Sequence, residues 1–222
     1  MISINNLTKY YPTNQGKKII FKDLSVVFPD KKNIGIIGLN GSGKSTLLRM
    51  IAGIDYPNEG HISSSKIISW PLGLSGGTQG SLSGRDNAKF VCRIFGDCNS
   101  IVSEKLRYIK NFSELGDYFE MPVKTYSSGM RSRLIFAISM AFDFDLYLID
   151  ELTAVGDEKF KKKSRQELNK KRKTSNYIMV SHNANELIKE SDVLAVVHDQ
   201  DLRIFDNPNE GLRFYRSFVK KV

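Results

Sequence analysis

Residues 38–46 read GLNGSGKST and fit the pattern G-x-x-x-x-G-K-[ST], with one further glycine, Gly41, inside it. These residue types answer one chemical need, the holding of a polyphosphate. Glycines let backbone N–H groups close around the β- and γ-phosphates, where a Cβ would hold them off. Lys44 is long enough to reach the phosphate oxygens, and the Ser45 hydroxyl is a ligand for Mg²⁺. The apolar run Ile34-Gly35-Ile36-Ile37 precedes the motif, and Thr46-Leu47-Leu48-Arg49-Met50-Ile51-Ala52 follows it with helical character. The loop therefore leads from a buried strand to a helix N-terminus, which favours an anion. The expected contacts are Gly38, Asn40, Gly41, Ser42, Gly43, Lys44, Ser45 and Thr46, and the expected ligand is a nucleoside triphosphate.

A second group of polar residues lies far away in sequence. Asp150 and Glu151 follow the apolar run Leu146-Tyr147-Leu148-Ile149. An acid at a strand end holds Mg²⁺ directly or through water, opposite the Ser45 hydroxyl. The neighbouring carboxylate projects differently and can polarise an attacking water. Such acids also serve as helix caps or turn residues. The phosphate loop in the same chain favours the magnesium role for Asp150 and the water role for Glu151. His182 follows Tyr177-Ile178-Met179-Val180. A lone histidine is most often a satisfied polar group, but one that leaves a strand beside the others is placed to reach the γ-phosphate or the lytic water. His61 and His198 have no such context and are read as structural.

The elements between these groups must bring them together. Residues 1–28 alternate apolar and polar residues around turn formers such as Pro12, Asn14 and Gly16, which predicts antiparallel strands. Gly53 is expected to end the helix after the phosphate loop. A turn over 57–60 and one or two strands over 61–70 follow. Residues 72–84 are rich in Gly and Ser and read as a loop, 85–126 as a helical insert, 134–140 and 159–173 as helices, and 146–149, 177–180 and 193–197 as core strands. Strands alternating with helices behind a phosphate loop imply an α/β fold, with a parallel sheet, right-handed crossovers and a ligand at the carboxyl ends of the strands.

Composition narrows the class. The chain has 222 residues, 41% of them hydrophobic, and no apolar stretch approaches the roughly 20 residues that span a bilayer. The opening MISINNLTKYY has no basic end followed by an apolar run, so no signal peptide is expected. Cys92 and Cys98 lack partners at metal-ligand spacing and are read as plain thiols in a reducing compartment. Much of the formal charge of +9 lies in KFKKKSRQELNKKRK at 159–173. This run reads as a solvated helix face, with attraction to anionic lipid headgroups, at roughly 1 kcal/mol per clustered basic residue, as the second reading. Nucleic acid is not expected as a partner, because aromatics are not interleaved for base stacking.

In this order the motifs resemble the ATP-binding cassette (ABC) family, and the resemblance spans nearly the whole chain. It rests on GLNGSGKST, on Tyr126-Ser127-Ser128-Gly129-Met130-Arg131-Ser132-Arg133 in the place of the signature LSGGQ-R-x-R, on LYLIDE, on Ala154-Val155-Gly156-Asp157 as the D-loop, and on His182 as the switch histidine. The resemblance implies one ABC ATPase domain over 1–222: a P-loop NTPase core with an N-terminal antiparallel β subdomain and a helical subdomain inserted at about 85–140. It also implies ATP and Mg²⁺ as cofactors and two copies facing head to tail, so that Ser127, Ser128, Gly129 and Asp157 of one approach ATP held by the other. The Q-loop glutamine, a nucleotide and metal contact, falls on Gln79; contact of this loop with a partner is the other reading. The adenine-stacking aromatic falls on Tyr10 or Tyr11, with Tyr11 preferred and core packing its alternative. Ser128 and Met130 depart from the usual signature glycine and glutamine, and Pro71-Leu72 stand where the Q-loop glutamine normally leaves its strand.

Three details indicate a branch of the family. They are YSSGMRSRL, DELTAVGD and SWPLGLSGGTQGSLSGRDN. Together they look like the ATPase subunits that export capsular polysaccharide from Gram-negative bacteria, with a separate membrane permease and a seat on the cytoplasmic side of the inner membrane. The end at Val222 leaves no room for the carbohydrate-binding domain of many O-antigen exporters. Export of O-antigen or teichoic acid is the alternative cargo, and a soluble ABC ATPase acting on ribosomes or DNA the competing class.

Overall fold

The N-terminal alternation becomes a hairpin. Strands β1 (Ile2–Thr13) and β2 (Gly16–Phe28) pair antiparallel, with Ile2 opposite Phe28 and Thr13 opposite Gly16. The structure, a computed structural model, describes residues 1–72, 78–150 and 157–219. Next in the chain come β3 (Ile34–Gly38), α1 (Lys44–Ile51) and β4 (Glu59–Ser64), then α2 (Gly84–Ile94) and α3 (Asn99–Ser113). Two short 3₁₀ turns, Gly116–Glu120 and Val123–Thr125, precede α4 (Ser128–Met140). The rest is β5 (Leu146–Asp150), α5 (Glu158–Lys171), β6 (Asn176–Val180), α6 (Ala184–Glu190), β7 (Val193–His198), β8 (Asp201–Phe205) and α7 (Pro208–Val219).

The described residues fall into two compact units. The first lies within Met1–Pro71, Phe144–Glu151 and Ser175–Val222, the second within Leu72–Asp143 and Leu152–Thr174. The second unit is thus wider than an insert over 85–140, and it takes in α5.

The first unit holds both sheets. One is antiparallel, of order β2-β1-β4; the other has the order β5-β6-β3-β7-β8, parallel except for β8. All five residues of β3 and the first four of β5 are buried, as expected for parallel strands covered on both faces. One apolar cluster joins Ile4, Leu7, Phe21 and Phe28 of the antiparallel sheet to Leu47 and Leu48 of α1 and to Ile36, Leu148, Ile178 and Ala195 of the other sheet. The segment at 61–70 gives one strand and a single bridge, Ile68 beside Leu146, where Leu148 N–H donates to Ser69 Oγ at 2.9 Å. Gly53, at φ +69°, follows the end of α1.

The second unit is helical and has an aromatic centre. Phe112, Phe136 and Phe160, from α3, α4 and α5, lie 5.7 to 6.3 Å apart by ring centroids. Two lysines of the basic run turn inward instead of facing solvent. Lys163 Nζ donates to the Phe112 carbonyl at 2.8 Å near the end of α3, and Lys171 Nζ to the Phe142 carbonyl at 3.1 Å beyond the end of α4. Each also pairs with a carboxylate, Lys163 with Glu114 at 2.8 Å and Lys171 with Asp143 at 2.6 Å, and the Phe112 carbonyl is one of the last of α3, which lack partners within the helix.

A backbone ribbon joins the loop before α2 to the segment before α4. Lys124 N–H donates to Gly80 O at 2.8 Å, Val123 N–H to Leu82 O at 2.9 Å, and Gly84 N–H to Met121 O at 3.3 Å. The buried side chain of Asn87 holds the same loop: its Oδ1 accepts the Gln79 amide at 2.7 Å, and its Nδ2 donates to the carbonyls of Gln79, Leu82 and Ser83. Replacing Asn87 by Leu keeps the branched outline and leaves these groups unsatisfied, so Asn87→Leu is expected to lose about 2–4 kcal/mol of stability. Urea unfolding measures this, and hydrogen exchange is expected to accelerate first at residues 79–83.

Candidate nucleotide site

The phosphate loop is built by close packing. Gly41 (φ +76°) and Gly43 (φ +106°) take left-handed conformations that L side chains avoid. A Cβ on Gly43 would lie 2.5 Å from Ile20 Cγ2 of β2, and one on Gly38 would lie 2.7 Å from the Val197 carbonyl of β7. Gly41 has open space around it, so its need for glycine is conformational alone. Helix α1 then begins at Lys44 with no side-chain cap and no acid in its first turn. Its first N–H groups are therefore left for an anion.

Lys44 is 7% exposed, and its Nζ donates to the carbonyls of Gly38 and Leu39, both at 2.8 Å. These two contacts fold the ammonium onto its own loop, and a charged phosphate oxygen is a stronger acceptor than either carbonyl. Asn40, Gly41 and Ser45 are exposed and Thr46 is buried. The Ser42 hydroxyl is buried with no hydrogen-bond partner among the described residues.

Parallel register brings the second group to the same edge. Asp150 pairs with Val180, and Val180 with Ile36, so β5 and β6 end level with each other and two residues short of the end of β3 at Gly38. Strands in a sheet lie about 4.8 Å apart, which puts the Asp150 backbone about 10 Å from β3. His182 follows β6 and is exposed. Its neighbours shape the turn: Ser181 Oγ donates to Glu186 at 2.8 Å and accepts the Asn183 amide at 3.1 Å, while Asn183 caps α6. Glu151 and Ala154-Val155-Gly156 lie outside the described residues.

The remaining expected residues belong to the second unit. Ser127 caps α4, its hydroxyl accepting the Met130 amide at 3.2 Å, so the helix expected over 134–140 begins six residues earlier, at Ser128. A depression of about 620 Å³ is lined by Ser127, Ser128, Gly129, Met130, Ser132, Arg133 and Asp157. Asp157 caps α5 through the Phe160 amide at 2.9 Å and pairs with Arg133 at 2.6 Å. The Phe160 amide first, and Arg133 after it, hold the Asp157 carboxyl below its usual range. Gln79 is exposed, and its backbone is fixed by Asn87. The structure therefore groups the phosphate loop, Asp150, His182 and Tyr11 in one unit and Gln79, the signature and Asp157 in the other.

Sequence reading missed two residues beside Tyr11. The Tyr11 hydroxyl donates to Asp55 at 2.6 Å, and Asp55 accepts from the buried Lys9, also at 2.6 Å. The available signal was Lys9 itself, a charge at an inward position of an alternating strand.

A strand, a glycine loop with a buried lysine, an open helix start and an acid at a nearby strand end define a P-loop nucleotide-binding protein. Residues 21–154 match the model of the ABC transporter family, and the chain belongs to that family. It is 50% identical over 219 residues to the polysialic acid transport ATP-binding protein KpsT of Escherichia coli, covering 98% of this chain and 97% of that protein. It is 43% identical over 217 residues to the capsule polysaccharide export ATP-binding protein CtrD of Neisseria meningitidis serogroup B, covering 98% of this chain and 99% of that protein. Among solved structures, a dimeric ATP-binding cassette in a post-hydrolysis state, bound to ADP and Pi, superposes with a TM-score of 0.75 at 20% identity, over 92% of this chain and 98% of that one. The expected α/β ABC ATPase fold, with its antiparallel β portion and its helices, is the fold observed.

Removing the Lys44 ammonium takes away a buried cation of the loop. Lys44→Ala is expected to weaken ATP binding by about 100-fold or more, measured with a fluorescent ATP analogue on protein whose fold is confirmed by circular dichroism. Undiminished affinity would refute the assignment.

Proposed function

We propose that this chain is the ATP-hydrolysing subunit of a capsular polysaccharide exporter, acting with a separate integral-membrane permease at the cytoplasmic face of the inner membrane. The carrying observation is near full-length identity of 43–50% to ATP-binding proteins of polysialic acid transport and capsule polysaccharide export. Among the described residues no helix is long and apolar enough to cross a membrane, and the permease is the partner assigned the translocation path.

In this reading the loop amides and Lys44 bind the triphosphate. The packing that only glycine allows at Gly38 and Gly43 fits that ligand, as does the uncapped start of α1. Ser45, Asp150 and Gln79 are the residues that would hold Mg²⁺, which neutralises charge on the β- and γ-oxygens when bound. Glu151 takes a proton from water as the water oxygen bonds to the γ-phosphorus and the bond to ADP breaks, and His182 steadies the γ-phosphate from the neighbouring strand end. Two copies face head to tail, so that Ser127, Ser128, Gly129 and Asp157 of one close on the nucleotide of the other. ATP binds the closed pair more tightly than the open one, and this difference in affinity drives the permease.

Glu151→Gln tests the whole reading. The variant is expected to bind ATP, to lose about 10²–10⁴-fold in hydrolysis, and to accumulate as an ATP-bound dimer on size-exclusion chromatography. In the source bacterium the polymer is expected to disappear from the surface and collect inside. Near-normal turnover would remove the water-polarising role, and an unchanged surface coat with an inactive variant would remove the export role.

A further inference from the structure

The side of β1 that carries Ile2, Ile4 and Leu7 into the core also carries Lys9, which is only 6% exposed. Its Nζ donates to Asp55 Oδ1 at 2.6 Å and to the Tyr56 carbonyl at 2.7 Å. Asp55 Oδ1 also accepts the Tyr56 amide at 2.8 Å, while Asp55 Oδ2 accepts the Tyr11 hydroxyl at 2.6 Å. The Lys9 ammonium stands 4.8 Å from the centroid of the Tyr11 ring. The backbone of the same loop is tied to the end of α1, where the amides of Ile54 and Asp55 both donate to the Arg49 carbonyl, at 2.9 and 3.2 Å. Tyr11 is therefore connected through one carboxylate to the far end of the helix that begins at the phosphate loop.

A buried ion pair is a costly way to fill a core position, since an apolar side chain of similar volume often serves stability as well or better. Its advantage is directional, because each donor and acceptor here has one place to point. Burial pushes the Asp55 carboxyl up, but the hydrogen bonds from Lys9 and Tyr11 outweigh it, leaving the group below its ordinary range and ionised near neutrality. The ring of Tyr11 is held at its hydroxyl end by an acceptor, approached by a cation and packed against the apolar core cluster, so its tilt is fixed from three sides.

We propose that Asp55 and Lys9 are positioning residues that clamp the Tyr11 ring at a fixed span from the phosphate loop, so that the site selects a triphosphate carrying a nucleobase over a bare polyphosphate. This rests on the reading of Tyr11 as the residue that stacks on adenine. The clamp acts on the base end of the ligand alone, and ATP and inorganic tripolyphosphate separate it from general stability.

The experiment measures the dissociation constants of ATP and of inorganic tripolyphosphate for the full chain and for Tyr11→Phe, Asp55→Asn and Tyr11→Ala. Tyr11→Phe keeps the ring and removes its anchor, and Asp55→Asn breaks the ion pair. Each is expected to weaken ATP by about 10–150-fold, the worth of one charge-assisted hydrogen bond, with tripolyphosphate changed less than about 2-fold. Tyr11→Phe keeps the test valid if Asp55→Asn proves unstable. Equal losses for both ligands would reduce the pair to a structural element and overturn the proposal. A selective loss of ATP in Tyr11→Ala alone, with Tyr11→Phe and Asp55→Asn unaffected, would overturn the clamp while leaving Tyr11 as the base contact. Unchanged ATP affinity in Tyr11→Ala would end the adenine reading, and the clamp with it.

Discussion

Backbone amides can surround a phosphate only where no side chain stands between, and the first unit is arranged around that demand. Gly38 is pressed against β7 and Gly43 against β2, so the loop is wedged between two sheets with no space for a methyl group at either point. Strand β3 must then be central in the larger sheet, with β6 on one side and β7 on the other. Its loop emerges where β5 and β6 also end, which is why Asp150 and His182 reach this edge from sequence positions over a hundred residues away. The antiparallel sheet has a part in this too, since Ile20 and Phe21 form one wall of the loop.

The lysines show how one side chain serves different ends. Lys163 and Lys171 each join a carbonyl to a carboxylate and hold the second unit together. Lys9 ends on a carboxylate and a carbonyl and is locked. Lys44 ends on two carbonyls of its own loop, with no acid beside it in the first turn of α1. Both of these acceptors are neutral, and a charged phosphate oxygen is a stronger partner for the ammonium than either.

Much of the fold was legible because the strong signals are local. Continuous apolar runs mark β3, β5, β6 and β7, and alternation marks the hairpin, since burial on two faces or on one writes a different pattern into the chain. Helix α6, strand β8 and helix α7 went unread. Helix α6 has seven residues and depends on its Asn183 cap, and β8 is an edge strand with Asp201 and Arg203 facing outward. Helix α7 owes its seat to aromatic contacts such as Phe205 with Phe214, which form only once the helix folds back on β8. The basic run read as a solvated face, because nothing local reveals that Lys163 and Lys171 meet carbonyls of other helices. The phosphate loop was legible in full, being a contiguous motif whose geometry each residue type dictates. Lys9 and Asp55 were not, for their relation spans 46 residues and exists only after folding.

The ribbon between residues 80–84 and 121–124 is made of main-chain bonds. Such bonds are indifferent to which side chains the residues carry, proline excepted. Substitutions at the exposed positions Ser81, Leu82, Met121 and Lys124 can alter the surface offered to another protein without changing the register that leads into Ser127, whereas Val123 is buried and a Cβ on Gly84 would meet the Tyr126 hydroxyl. Freedom at those four side chains thus sits beside main-chain bonds that keep the mechanical precision. A lineage can revise its surface there one residue at a time, with no intermediate that loses the alignment of the signature helix.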